Sequence, residues 1–284
     1  MPVAYGVFVG INYERTSAAL RGCMNDARNW YRALGSHCIE TALLLEDEAS
    51  RQGIIGTLTK TLAKLKAGDW LVFTFSGHGT QVKDASGDEQ DGKDEAICPY
   101  DYQKSLILDD EIRAVLSRRN PESFVLAIMD CCHSGTNLKA LDMAPRSLDW
   151  SEIPEEAKLL ISNDTRGAAG DDGVMLISGC DSSEVSFDIT ENGVPCGALT
   201  SRALAAWKDL AQGATYGFWY QKIRKELPSS RYRQTPQFEP SPAHMGQFPV
   251  IGKWQQAGNV PPPPDAAWTP DSITMNGATY DKRK

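Results

Sequence analysis

A chain of 284 residues with a net charge of −8 and no basic stripe excludes a nucleic-acid partner. Its 41% hydrophobic and 23% charged content is that of a water-soluble globular protein, and no window approaches the roughly 20 apolar residues of a bilayer span. Seven cysteines, an odd number without a disulfide-like framework, fit a reducing compartment, so the expectation is a cytoplasmic chain with no membrane partner.

The first predicted strand is Val3–Ile11; the N-terminus lacks the basic and apolar regions of a signal peptide. A helix follows over Met24–Leu34, with Asn25 or Asp26 placed to cap its free amides. Cys38–Leu45 is strand-like, and Ala49–Lys66 sets Ile54, Ile55, Leu58, Leu62 and Leu65 on one helical face. Gly68-Asp69 ends that helix, and the apolar run Asp69–Phe75 leads into Ser76-Gly77-His78-Gly79, whose glycines let the backbone turn and leave the imidazole exposed. Asp109–Ser117 is a short helix before Pro121. Phe124–Met129 is an unbroken apolar run, as in a strand buried on both faces of a parallel sheet, and it stops at Asp130-Cys131-Cys132-His133-Ser134-Gly135. Residues 136–172 are polar, contain Pro145 and Pro154 and show no period, so they read as a connecting loop. Val174–Gly179 is a strand, helices cover Leu199–Ala211 and Tyr216–Glu226, and Gln234–Glu239 is the last strand. From Gly252 onward the four prolines at 261–264 read as an extended tail. Alternating strands and helices predict an α/β fold with a mostly parallel sheet and helices on both faces.

Two strands that each end in a reactive group place the chemistry, because catalytic groups gather outside the carboxyl ends of such sheets. His78 and a cysteine of the 131–132 pair then form a Cys–His dyad. Adjacent side chains on extended backbone face opposite ways, so only one cysteine can meet His78. Adjacent cysteines suit zinc poorly, which argues against a metal-binding or redox module. The other competing class is a catalytically silent scaffold that works by binding. Asp84, Asp88, Glu89, Asp91, Asp94 and Glu95 crowd one stretch, hard oxygen donors of the kind calcium takes, but Glu89 stands where an EF-hand loop requires glycine.

SGHG at 76–79 and DCCHSG at 130–135 resemble the caspase-like cysteine peptidases, in particular the metacaspases and their bacterial relatives, the orthocaspases. GVFVGINY (6–13), LRGCMNDA (20–27), DEAICPYD (94–101), LDDEI (108–112), ISGC (177–180), GALTSRAL (197–204) and QTPQFEPS (234–241) resemble further metacaspase blocks in the family's order. The resemblance implies a caspase-like three-layer sandwich over residues 1–249, with a large part (1–138), a flexible linker (139–172) and a small part (173–249), followed by a Pro-rich extended tail at 250–284. It implies Cys132 as nucleophile, His78 as acid–base partner, and Gly79 and Cys132 amides as the oxyanion hole. It places Cys23, Asp26, Ser76 and Asp130 in the specificity pocket, whose acids would take a basic residue before the cut and repel an acidic one. No cofactor is required for the chemistry. Calcium as an activator would be held by Asp94, Asp109 and Asp110; a further family acid falls near Lys139 here, with Asp142 as a substitute. Self-cleavage in the linker has Lys139, Arg146, Lys158 and Arg166 as candidates, and the expected state is a monomer acting on protein or peptide substrates.

Overall fold

A computed structural model describes residues 2–83, 93–132, 144–159, 173–181, 184–240 and 246–253, with strands at 272–275 and 278–281. In chain order, β1 (Ala4–Gly10) leads to α1 (Cys23–Leu34), β2 (Glu40–Leu45), α2 (Arg51–Leu62) and β3 (Trp70–Ser76). Three short strands come next, β4 (Gly79–Lys83), β5 (Lys93–Ile97) and β6 (Ile107–Leu108), then α3 (Asp109–Leu116) and β7 (Phe124–Asp130). The second half holds β8 (Ala144–Pro145), α4 (Glu155–Leu159), β9 (Val174–Ser178), β10 (Phe187–Glu191), β11 (Val194–Gly197), α5 (Ala198–Lys208), α6 (Tyr216–Glu226) and β12 (Gln237–Pro240). β13 (Ser272–Met275) and β14 (Ala278–Asp281) pair as a two-stranded ribbon where the sequence reads as an extended tail.

The main sheet runs β12-β9-β7-β3-β1-β2, with every neighbouring pair parallel except β12 against β9. Alternate side chains of its central strands enter two separate layers. Val7, Val9, Leu71, Phe73, Val125 and Ala127 pack beneath Ile54 and Leu58 of α2 and Ile112 and Leu116 of α3. Phe8, Trp70, Val72, Leu126 and Ile128 pack beneath Trp30 and Leu34 of α1, Leu199 of α5, and Trp219 and Ile223 of α6. Burying each large apolar side chain contributes about 1.5–3 kcal/mol. A one-residue slip would send all of them to the wrong layer, so the hydrophobic pattern fixes the register. In that register Ser76 lies opposite Asp130, and the chains leaving β3 and β7 emerge side by side.

Local details differ from the sequence pattern. The N-cap of α1 is Gly22 with no side-chain bond, so neither Asn25 nor Asp26 caps it. The helix expected over Ala49–Lys66 is shorter, and Ser50 caps it by accepting from the Gly53 amide. Within the expected linker, residues 144–159 are structured: β8 pairs with β10, and a 3₁₀ turn (Trp150–Glu152) leads to α4. Val250 and Ile251 are buried, continuing the packed body past residue 249. Among the described residues no helix is long and apolar enough to cross a membrane.

Candidate active site

The two strand ends converge on a single atom. The Gly79 amide donates to the carbonyl oxygen of Arg146 at 3.0 Å, and the Cys132 amide donates to the same oxygen at 3.2 Å. The amide after His78 and the amide of Cys132 therefore meet at one peptide group, the Arg146–Ser147 bond. The Arg146 amide donates to the Ser186 carbonyl at 3.0 Å, and the Leu148 amide to the Gly79 carbonyl at 2.9 Å. A segment of the chain's own linker thus lies across the ends of β3 and β7 in extended form, paired on both sides of Arg146.

His78 is buried, not exposed as its flanking glycines suggest, because this segment and the loop after β1 cover it. Its Nε2 bonds the Ala18 carbonyl at 2.7 Å, and a carbonyl only accepts, so Nε2 carries the proton. Nδ1 carries the lone pair and has no hydrogen-bond partner among the described residues. The Tyr13 hydroxyl accepts from the His78 amide at 3.0 Å and donates to the Cys98 carbonyl at 2.5 Å, while its ring lies 4.9 Å from the imidazole. Tyr13 (φ 52) and Arg15 (φ 66) take left-handed backbone to bring the Ala18 carbonyl round to the ring.

Burial pushes the His78 pKa down to about 4; the Ala18 carbonyl opposes the shift and Arg146 adds to it. The unfolded chain holds a proton on this ring up to the ordinary value of 6.5, so between about 4 and 6.5 the unfolded state binds more protons and stability rises with pH. The difference in Tm between wild type and His78→Gln is expected to grow in favour of wild type across that window and to stay flat above it. Thermal unfolding at several pH values checks this; a difference that shrinks with rising pH contradicts it.

The Arg146 side chain enters a closed pocket and is fully buried. Its Nη2 lies 2.7 Å from Asp26 Oδ2 and 2.9 Å from Asp188 Oδ1, and its Nη1 lies 3.3 Å from Asp130 Oδ2. Nη1 also donates to Ser76 Oγ at 2.7 Å and to the Asp130 carbonyl at 3.2 Å. Three carboxylates around one guanidinium leave an excess of negative charge, which backbone donors at two helix amino ends hold in place. At the start of α5, Gly197 donates to Asp26 and Thr200 donates to Asp130. At the start of α1, the Arg21 and Gly22 amides donate to Asp188. Burial pushes the Asp26 carboxyl up to about 6 against the pull of Arg146. Gly197 has to be glycine, because a Cβ there would overlap Asp130 Oδ2 and the guanidinium. Cys23 is buried at the start of α1, and burial drives its thiol well above the ordinary range, with Arg146 opposing.

The structure thus gathers Cys23, Asp26, Ser76, Asp130, His78, Gly79 and Cys132 around one peptide. It adds Asp188, Tyr13, Ala18 and Ser186, which the sequence reading missed. Asp188 is an acid between Phe187 and Ile189 on β10, and all three are buried. Of the linker candidates, Arg146 fills the pocket. Lys158 lies elsewhere, bonded to Glu155 at 2.6 Å and over the Trp150 ring at 4.9 Å. Lys139 and Arg166 lie outside the described residues, as do Asp84, Asp88, Glu89, Asp91, Asp142, His133 and Ser134.

Of the calcium candidates, Asp94 lies on β5, and Asp109 and Asp110 open α3. Asp94 and Asp110 are buried, and burial pushes Asp109 up to about 6, with Arg113 opposing and Asp110 adding. Arg113 bridges Asp109 at 3.0 Å and Asp110 at 3.4 Å, supplying the positive charge a cation would bring. Among the described residues no three His, Cys, Asp or Glu side chains converge to hold a metal.

Known proteins share much of this sequence. Residues 5–141 match the family described as "Metacaspase, peptidase C14 domain". The chain is 33% identical over 258 residues to Metacaspase-3 of Trypanosoma brucei brucei, covering 84% of this chain and 71% of that protein. It is 33% identical over 235 residues to Metacaspase-1 of Arabidopsis thaliana, covering 78% of this chain and 64% of that one. A crystal structure of a Geobacter sulfurreducens protein superposes with a TM-score of 0.69 at 27% identity, covering 84% of this chain and 93% of the other.

Proposed function

This chain belongs to the metacaspase family and is a cysteine-type peptidase, and from that premise we propose that it cuts peptide chains after arginine or lysine with a Cys132–His78 dyad. The observation that supports this most is the Arg146–Ser147 peptide, whose carbonyl oxygen takes two amides and whose side chain meets three acids, as a substrate would. His78 Nδ1 takes the Cys132 thiol proton, and the thiolate attacks the Arg146 carbonyl carbon. The Gly79 and Cys132 amides hold the resulting oxyanion; one such donor contributes about 2.7–4 kcal/mol to lowering the barrier. As the carbon–nitrogen bond breaks, His78 returns the proton to the Ser147 nitrogen, leaving an acyl thioester on Cys132. A water molecule, deprotonated by His78, then releases Arg146 as a carboxylic acid.

On this reading Arg146–Ser147 is the self-cleavage bond, and the uncut chain is a precursor that fills its own specificity pocket. Calcium as activator is a separate proposal. It requires Arg113 to leave Asp109 and Asp110, and no step above runs through the ion. The seven free cysteines support a cytoplasmic site of action, and a monomer is the state proposed.

The test is a set of fluorogenic peptides differing only in the residue before the cut, assayed with calcium and with chelator. Arginine is expected to exceed lysine roughly tenfold, because the planar guanidinium reaches all three acids at once and an ammonium does not. An aspartyl peptide should not be cut, since it would bring a fourth carboxylate into the pocket. A preference for aspartate overturns the proposal, and equal rates in chelator remove calcium from it.

A further inference from the structure

The two halves of the docked segment are held very differently. Among the described residues before the bond, β8 pairs with β10 at two positions, Ala144 with Asp188 and Pro145 with Phe187. The other contacts that the described residues make there come from Arg146, and an arginine of another chain would replace them one for one. Beyond the bond, Ser147 bridges to Gly79 and the Leu148 amide donates to the Gly79 carbonyl. Leu148, Ile153 and Ala157 are buried in the same apolar cluster as Val82 and Leu71 of the body, with Trp150 packed against it. The turn between them is closed from both ends. The Asp149 amide donates to Glu152 and the Asp149 carboxylate accepts from the Ser151 amide, each at 2.9 Å. Lys158 then folds back over the Trp150 ring. None of these contacts passes through the Arg146–Ser147 bond.

Resting on the cleavage reading above, we infer that residues 147–158 are a strap that stays seated after the cut and occupies the leaving-group side of the active site. The strap remains covalently joined to β9, so it competes as a tethered ligand at high effective concentration. A substrate running several residues past its scissile bond needs the Gly79 carbonyl and the space Leu148 fills, and it has to displace the strap. A substrate whose leaving group is a single small arylamine does not. The cut enzyme therefore discriminates by the residues beyond the scissile bond as well as by the basic residue before it.

Amide hydrogen exchange on the full-length wild-type protein, before and after cutting at Arg146, reads the strap directly. Residues 148–157 are expected to keep their protection after the cut. In parallel, Ile153→Asp, remote from the scissile bond, should raise kcat/KM about tenfold for a quenched arginyl peptide extended by four residues. Its rate on an arginyl arylamide should stay at the wild-type value. Loss of protection at 148–157 on cutting overturns the inference without touching the cleavage reading. So does retained protection with the extended peptide cut equally well by both proteins. Absence of any cut at Arg146 overturns both. If Ile153→Asp does not fold, the exchange measurement on wild type decides alone.

Discussion

Cys132→Ala is expected to abolish hydrolysis of arginyl peptides and to leave the chain intact at Arg146, whereas Cys131→Ala keeps most of both activities. The two thiols are adjacent in sequence but belong to different layers. Cys131 sits in the cluster containing Val9, Leu71 and Val125, and burial drives its pKa well above the ordinary thiol range. Cys132 sits with Phe187, Ile189 and Leu227, its sulfur accepts the Ser186 amide, and its own amide faces the Arg146 carbonyl. Losing a nucleophile of this kind lowers kcat by roughly 10⁴-fold or more. Shortening Cys131 removes a small buried group at a cost of about 1–2 kcal/mol in stability. Steady-state rates on an arginyl arylamide, with the length of the chain read by mass spectrometry, separate the two. The reverse pattern would move the nucleophile to residue 131.

The parts of the fold legible in the sequence are those whose pattern is set by burial alone. Phe124–Met129 is apolar throughout and Trp70–Phe75 is so but for Thr74, because both faces of the central strands are covered, and helices packed on them keep a 3.6-residue stripe. The sequence also placed His78 and Cys132 at neighbouring strand ends, since β3 and β7 are adjacent and in register. Short antiparallel pairs such as β4 with β5 and β10 with β11 left no comparable pattern. Their residues are chosen for the pocket as much as for the sheet, and Asp188 takes a polar position of β10 to meet Arg146. The burial of His78 was invisible for another reason. Its cover comes from residues 18 and 146, distant in the chain, and a glycine-flanked histidine reads the same with or without such a cover. The same holds for Arg146, which composition alone leaves as one basic residue among four in a polar linker.

Arg146→Gln is expected to remove self-cleavage while giving an enzyme that hydrolyses added arginyl arylamide from the first mixing, with no lag. Asp26, Asp130 and Asp188 are buried around the guanidinium, and removing one partner from such an arrangement costs about 3–5 kcal/mol. The protein has a ready way to relieve that cost. Among the described residues, the side of the segment before the bond is held by two strand positions and by Arg146 itself, so this part can lift away and let water and counter-ions reach the carboxylates. The folded body does not have to open, and Tm should fall by only a few degrees while the pocket becomes free for an external arginine. Arg146→Lys, which restores a single positive charge without the planar fork, should keep self-cleavage at a rate roughly tenfold lower. An Arg146→Gln protein that is folded by circular dichroism yet inert toward arginyl arylamide would mean that Arg146 is a structural counter-ion that the acids need in order to hold their shape. The docked peptide would then not be a substrate at all.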